Sequence, residues 1–307
     1  MAANKTQEAA AVKYRTFFYR EGLPLFKVKD LKFRYPKSDV CAVNGVDFEI
    51  TDREIFGFLG PSGAGKTTTQ RLLIKLLKGY EGEVLYQGKP LTEYGDDFYQ
   101  DIGVSFEMPI SFSKLTAMEN LEFFKRLYKN TVDVEPLLKR VGLWEDRHKK
   151  AGEYSKGMKI RLNFVRALIN KPKILFLDEP TNGIDPVNAQ IMKDMIREFR
   201  EEGGTVFLTS HIMSDVDELC DRVAFIVNGK LQEEDTPRNL KLKYGKRIVK
   251  VEYRENGDLV TKEFSMEAIK EPEFHELLRT KDIETIHSGE TTLQDIFIKV
   301  TGVALHG

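Results

Sequence analysis

The groups able to do chemistry sit in two segments of the chain and in a tripeptide between them. Gly60, Pro61, Ser62, Gly63, Ala64, Gly65, Lys66 and Thr67 fit the pattern G-x-x-x-x-G-K-[ST]. Asp178, Glu179 and Pro180 end the apolar run Ile174 to Leu177, and Ser155-Lys156-Gly157 falls between the two segments. Gly60, Gly63 and Gly65 free backbone N–H groups to face phosphate oxygens without side-chain collision. Lys66 would place an ammonium beside the β- and γ-phosphates, and the Thr67 hydroxyl is suited to Mg²⁺. Asp178 would hold Mg²⁺, directly or through water, and Glu179 would orient and activate the attacking water. Ser155 to Gly157 offers a helix start to a second nucleotide. The set implies hydrolysis of ATP by one half of a two-site dimer.

Such groups need strands to carry them. Glu54 to Leu59 is a short apolar run bounded by glycine, which predicts a buried parallel strand. Leu72, Leu73, Leu76 and Leu77 give Thr68 to Leu77 helical spacing. Strand, glycine loop and helix form the context that the phosphate-loop pattern requires. Ile174 to Leu177 predicts a second buried strand and Thr205 to Thr209 a third, ending in Ser210-His211. Ligands of open α/β sheets bind outside the carboxyl ends of the strands, which is where the acids and His211 fall. His211 is then placed to contact the γ-phosphate or steady the water near Glu179, unless its role is only structural. Taken alone, Asp178-Glu179-Pro180 could equally cap a helix or open a turn. The phosphate loop ahead of it decides for chemistry.

Over residues 25 to 235 the chain resembles the ATP-binding cassette (ABC) ATPases, with six elements in family order. The resemblance implies that Tyr35 stacks on adenine and that Gly60 to Thr68 is the phosphate loop. Ile102 to Glu107 resembles the segment that couples the site to a membrane partner, which makes Glu107 a further Mg²⁺ ligand. Tyr154-Ser-Lys-Gly-Met158 stands in the place of the L-S-G-G-Q signature, so Ser155 and Gly157 would clasp the partner chain's ATP. Asp178 and Glu179 follow, then Gly183 to Pro186 with Asp185 as the subunit-crossing loop, then His211 as the switch histidine. Three residues depart from the pattern, one of them Met158 in place of the signature's glutamine. Glu107 replaces a glutamine and brings charge beside the γ-phosphate while losing a donor. Lys156 replaces a glycine and is expected to point into water.

The resemblance implies an α/β fold: a phosphate-loop ABC ATPase with an antiparallel β-subdomain and a helical subdomain, plus a small C-terminal α+β appendage. The expected boundaries are an N-terminal extension at 1–24, the nucleotide-binding domain at 25–240 and the appendage at 241–307. The helical part is expected over about 108–170, with Thr116 and Glu119 forming a capping box and a second helix over Val134 to Val141. The resemblance makes the groove from Glu107 to Leu115 the docking site for a permease helix, which Met108 and Phe112 would line unless they only pack beneath a loop. In the appendage, Arg247 to Tyr253 and Leu259 to Phe264 flank a turn and predict a hairpin. A helix over Glu267 to Leu278, a strand over Asp282 to His287 and a helix over Thr292 to Thr301 complete it. Thr291 to Phe297 resembles the T-L-E-D-x-F ending of exporter ATPases.

Composition narrows the class further. Lys and Arg total 47 against 48 Asp and Glu, which argues against a general nucleic-acid binder. Cys41 and Cys220 have no metal-ligand spacing, and a reducing compartment suits them. The amino-terminal residues lack the apolar core of a secretory signal, and no apolar run reaches the roughly 18 residues that span a bilayer. The expectation is a cytoplasmic subunit, peripheral on the inner face of the membrane, that drives export through a separate transmembrane permease as a homodimer or heterodimer. The competing readings are an importer ATPase, a soluble ABC ATPase acting on ribosomes or nucleic acid, and a module using ATP only as a clamp.

Overall fold

Alternation of buried and exposed side chains makes β1 (Phe26–Phe33) and β2 (Val43–Ile50) strands of a sheet with one wet face. They pair antiparallel, with a register shift beyond Val28 where Asp30 takes a φ of 47°. By contrast, every residue of β3 (Ile55–Leu59) is buried, as the unbroken apolar run requires of a parallel strand covered on both faces. The computed structural model describes residues 24–304 apart from Lys246 and Asn256, so the N-terminal extension before Pro24 lies outside the described residues. Two units emerge, one ending at Glu234 and one beginning at Asp235.

In the first unit α1 (Lys66–Leu73) follows β3, and β4 (Glu81–Tyr86) and β5 (Lys89–Pro90) extend the antiparallel sheet in the order β2-β1-β4-β5. Next come α2 (Phe98–Asp101), β6 (Ile102–Ser105), α3 (Ala117–Lys125), α4 (Val134–Arg140), α5 (Lys156–Leu168) and β7 (Ile174–Asp178). The unit closes with α6 (Pro186–Glu201), β8 (Thr205–Ser210), α7 (Met213–Leu219), β9 (Arg222–Val227) and β10 (Lys230–Asp235). A six-stranded sheet runs β10-β9-β3-β8-β7-β6, and β9, β3, β8, β7 and β6 are parallel neighbours. The helix predicted to reach Leu77 stops at Leu73, because Lys75 turns left-handed at φ 61° and leaves Leu76 exposed.

Helix starts are set locally. Thr116 accepts from the Glu119 N–H while the Glu119 carboxylate accepts from the Thr116 N–H, so the expected capping box forms. Asp133 caps α4 and Ser155 caps α5. Against the sheets, aromatic rings fill the core. Phe207 of β8 stacks with Phe56 of β3 and Phe48 of β2, and also meets Phe176 of β7 at 5.7 Å. Phe176 in turn meets Phe26 of β1 edge-on at 5.9 Å. This cluster locks β3, β7 and β8 in one register, and those three strands carry the candidate site.

The second unit holds α8 (Pro237–Tyr244), β11 (Arg247–Glu255), β12 (Asp258–Ser265), α9 (Pro272–Thr280), β13 (Asp282–Glu290) and α10 (Leu293–Thr301). Its sheet runs β12-β11-β13, all antiparallel, with the hairpin in the register Ile248↔Ser265 to Glu255↔Asp258. The single helix predicted over Glu267 to Leu278 is divided: a short 3₁₀ turn covers Ala268–Lys270, and Pro272 then opens α9. Proline has no N–H to continue a helix but suits a first turn, which explains the break. Val251, Phe264, Phe274 and Leu277 form this unit's own core.

Truncating Phe176, fully buried against Phe26 and Phe207, should cost roughly 3–5 kcal/mol. Urea unfolding of Phe176→Ala should show a lowered midpoint, whereas Leu76→Ala at its exposed position should leave the midpoint nearly unchanged.

Candidate active site

Two glycines of the loop after β3 have no room for a side chain. A Cβ at Gly60 would lie 2.1 Å from the Ile226 carbonyl oxygen. One at Gly65, whose φ is 108°, would lie 2.4 Å from that of Ala42. The loop is further pinned by the Gly229 N–H, which donates to the Ala64 carbonyl at 2.9 Å. Lys66 is buried at its base. Its ammonium donates to the Gly60 and Pro61 carbonyls at 2.6 and 3.1 Å and lies 3.8 Å from Glu179 Oε1. Burial pulls the Lys66 pKa below the usual lysine range, against the opposing pull of Glu179, Asp178 and Glu107. Three carboxylates therefore act electrostatically on one cation at the start of a helix.

Asp178 is the last residue of β7 and is only 3% exposed. Its carboxylate accepts from Thr67 Oγ1 at 3.1 and 3.2 Å and from the Thr209 hydroxyl of β8. Glu179 departs from the strand with φ 48°, a left-handed conformation rare for a side chain of this kind. That turn aims its carboxylate at the neighbouring strand end. Glu179 Oε2 accepts from Ser210 Oγ and the His211 N–H, both at 3.2 Å, and lies 2.9 Å from His211 Nδ1. Lys66, Thr67, Asp178, Glu179 and His211 thus form one connected cluster at the carboxyl end of the parallel sheet. Tyr35 joins it through Thr68, its phenol oxygen lying 3.1 Å from Thr68 Oγ1 while its ring packs edge-on against Phe33. Ser62 and Gly63 are exposed at the loop's tip, and Pro61 is half-buried.

Glu107 is exposed beyond β6, and Asn182 Nδ2 donates to its Oε1 at 3.5 Å. The oxygen donors Thr67, Asp178 and Glu107 fit a hard cation. Among the described residues no cluster of three acidic, histidine or cysteine side chains forms a cage of its own. Mg²⁺ needs none, since it binds through one or two carboxylates and substrate phosphates.

Ser155, Gly157 and Asp185 make a second group. Ser155 Oγ accepts from the Met158 N–H at 3.2 Å, and Asp185 accepts from the Asn188 N–H and side-chain amide at 3.1 and 2.7 Å. The Asn188 side chain holds the Asp185 carboxyl below its usual pKa. Arg161 links the two helix starts, donating to the Asn188 Oδ1 at 2.9 Å and to the Gly157 carbonyl at 3.4 Å. Lys156, expected to point into water, is exposed but runs across the Gly183 backbone: a Cβ there would lie 3.1 Å from its Nζ.

Sequence reasoning missed Thr209, Asn163 and Asn120. Thr209 was read only as strand; the register of β7 on β8 sets it opposite Asp178. Asn163 of α5 donates to Ser105 Oγ at 2.9 Å and to the Phe106 carbonyl at 3.0 Å, joining the Ser155 helix to the segment carrying Glu107. Asn120 holds the loop over Phe112 to Thr116 by four hydrogen bonds.

The family profile of ABC transporters matches residues 43–182, and that of a fluoroquinolone efflux ABC transporter C-terminal domain matches residues 247–290. A fluoroquinolones export ATP-binding protein of Mycobacterium tuberculosis (strain H37Rv) is 51% identical over 286 residues, covering 92% of this chain and 95% of that protein. A lantibiotic transport ATP-binding protein of Streptococcus pyogenes is 33% identical, over 73% of this chain and 98% of its own. Among solved structures, the dimeric post-hydrolysis ATP-binding cassette MJ0796 bound to ADP and Pi matches with a TM-score of 0.62 at 25% identity. That match covers 69% of this chain and 98% of the cassette. The chain belongs to the ABC transporter family, as an ATP-binding ATPase subunit.

Lys66→Ala should weaken both nucleotide binding and phosphate release. Calorimetric titration with ATP checks the first; an unchanged affinity would remove Lys66 from the phosphate site.

Proposed function

We propose that this subunit dimerises around two Mg²⁺-ATP and powers efflux of fluoroquinolone-like compounds through a separate membrane permease. The observation that carries the efflux reading is the match of the C-terminal unit to an efflux-specific family, joined to 51% identity with an export ATP-binding protein. Among the described residues no helix is long and apolar enough to cross a membrane, which suits a translocation path supplied by another chain. Met108, Ile110 and Phe112, which follow Glu107 in the chain, are exposed at 80%, 60% and 47%, and Phe112 meets the exposed Phe123 ring at 4.9 Å. Exposed apolar side chains of this kind favour contact with a permease helix and a position against the inner face of the membrane.

In the proposed reaction, Lys66 and the loop amides from Gly60 to Thr68 hold the phosphates, and Tyr35 stacks on adenine. Thr67, Asp178 and Glu107 would hold Mg²⁺, which supplies charge neutralisation at the β- and γ-phosphates when bound. Glu179 takes a proton from the attacking water, and His211 fixes the Glu179 carboxylate and approaches the γ-phosphate. Ser155, Gly157 and Asp185 serve the partner chain's ATP across the dimer, where the α5 N-terminus favours a γ-phosphate. Closure then depends on γ-phosphate and hydrolysis releases it. The units are read as a cassette over residues 25–240 and an appendage over 241–307, the contact division falling slightly earlier, after Glu234.

Glu179→Gln should keep ATP binding while lowering turnover roughly 10²–10⁴-fold. Tagged Glu179→Gln protein pulled from detergent-solubilised native membranes with ATP should bring a stoichiometric multi-spanning partner. Near-normal turnover would remove Glu179 from catalysis, and capture of ribosomal proteins or nucleic acid instead would overturn the transporter role.

A further inference from the structure

Besides the backbone bond from the Glu179 N–H to the Thr209 carbonyl at 2.9 Å, side chains tie the segments that leave β7 and β8 to each other twice. One tie is Glu179 with Ser210 and His211, described above. The other lies farther along both chains: Thr181 Oγ1 donates to Asp215 Oδ2 at 2.6 Å. Thr181 is buried at 6% exposure, two residues past Glu179, and Asp215 stands four residues past His211 in the first turn of α7. The second oxygen of Asp215 accepts from Lys193 Nζ of α6 at 3.4 Å. Lys193 also pairs with Glu218, which Arg197 holds in turn. The pairs Lys193–Glu218 and Arg197–Glu218 already join α6 to α7 without Asp215. The contact with Thr181 adds nothing to that junction; it closes a ring that contains the Glu179 turn.

We propose that Asp215 is a positioning residue for hydrolysis: by holding Thr181 it keeps Glu179 in its left-handed turn and its carboxylate against His211. The argument is geometric. A residue at φ 48° relaxes to a commoner backbone conformation unless its surroundings over-determine it. Pro180 follows Glu179 directly, so the next side chain able to anchor the turn by a hydrogen bond is Thr181. Asn182, Gly183 and Asp185 come after it, so the same bond sets where the crossing loop begins.

The inference rests on the reading of Glu179 as the water-activating group, and the test separates the two. Purified full-length protein is compared as wild type, Asp215→Ala, Thr181→Val, the double variant, Thr181→Ser and Glu179→Gln, with kcat and KM for ATP measured for each. Asp215→Ala, which removes the acceptor, and Thr181→Val, which removes the donor, should each lower kcat about tenfold with KM within about twofold of wild type, the signature of an interaction lost at the chemical step. The double variant should be no slower than the slower single one, because both remove one contact. Thr181→Ser, which keeps the hydroxyl, should restore kcat. If Asp215→Ala fails to fold, Thr181→Val against Thr181→Ser carries the test, since neither alters a charge. Unchanged kcat in the single variants, or additive losses in the double, would overturn the inference while a slow Glu179→Gln leaves the proposed chemistry standing. A Glu179→Gln enzyme as fast as wild type would overturn both.

Discussion

The buried carboxylate of Asp178 is the point on which the site depends. A carboxylate taken out of water is costly unless hydrogen bonds and cations satisfy it. Here Thr67 comes to it from the first turn of α1, just past β3 and its loop, Thr209 comes from β8, and Lys66 lies in the same cluster. Satisfying one acid therefore requires the carboxyl ends of three strands to be level with one another. The ladder pairings do this: Leu59 stands opposite Ser210, and Asp178 opposite Thr209. A slip of one residue would turn these side chains to the other face of the sheet. The aromatic cluster of Phe48, Phe56, Phe176 and Phe207 opposes such a slip, so the core and the chemistry share one register.

A second set of contacts spreads outward from that point. Asn163 ties α5 to the end of β6, and so connects the helix capped by Ser155 with the segment bearing Glu107. Arg166, one turn later, donates to the Ile110 carbonyl and lies over the Phe124 ring at 4.8 Å. The exposed apolar surface from Met108 to Phe112 is thus built on the same helix that presents Ser155 and Gly157. A load applied to that surface has a hydrogen-bonded route toward Glu107 and toward the helix start at Ser155. Rigid elements with such shared contacts are what a coupled two-state transition needs.

Much of this was legible in the residues. The phosphate loop and the Asp178-Glu179 pair are contiguous, so chain spacing alone places their groups, and the strand–loop–helix context follows from apolar runs. The capping boxes at Thr116 and Thr292 are likewise local, although only the first was read in advance. What escaped was set by register between distant strands. Thr209 meets Asp178, and Asp215 meets Thr181, only because β8 lies beside β7, and no spacing within either segment reveals it. Helix limits escaped for a different reason. A single backbone torsion at Lys75 ended α1 despite two further leucines, and Pro272 divided a segment whose apolar periodicity continued through it. The direction of Lys156 depended on Gly183, which is remote in the chain.

The central claim is that each ATP is enclosed by the phosphate loop of one chain and the Ser155–Gly157 helix start of another. It is tested most directly by mixing two inactive variants. Lys66→Ala disables the loop and leaves the helix start intact. Gly157→Asp does the reverse, and a Cβ there has room, its nearest neighbour being the Gly183 carbonyl at 3.8 Å. Phosphate release is measured for each variant and for the equimolar mixture. If sites are shared between chains, the mixture regains activity that neither variant has, because a mixed dimer contains one intact composite site. A mixture no more active than the sum of its parts would contradict the shared site.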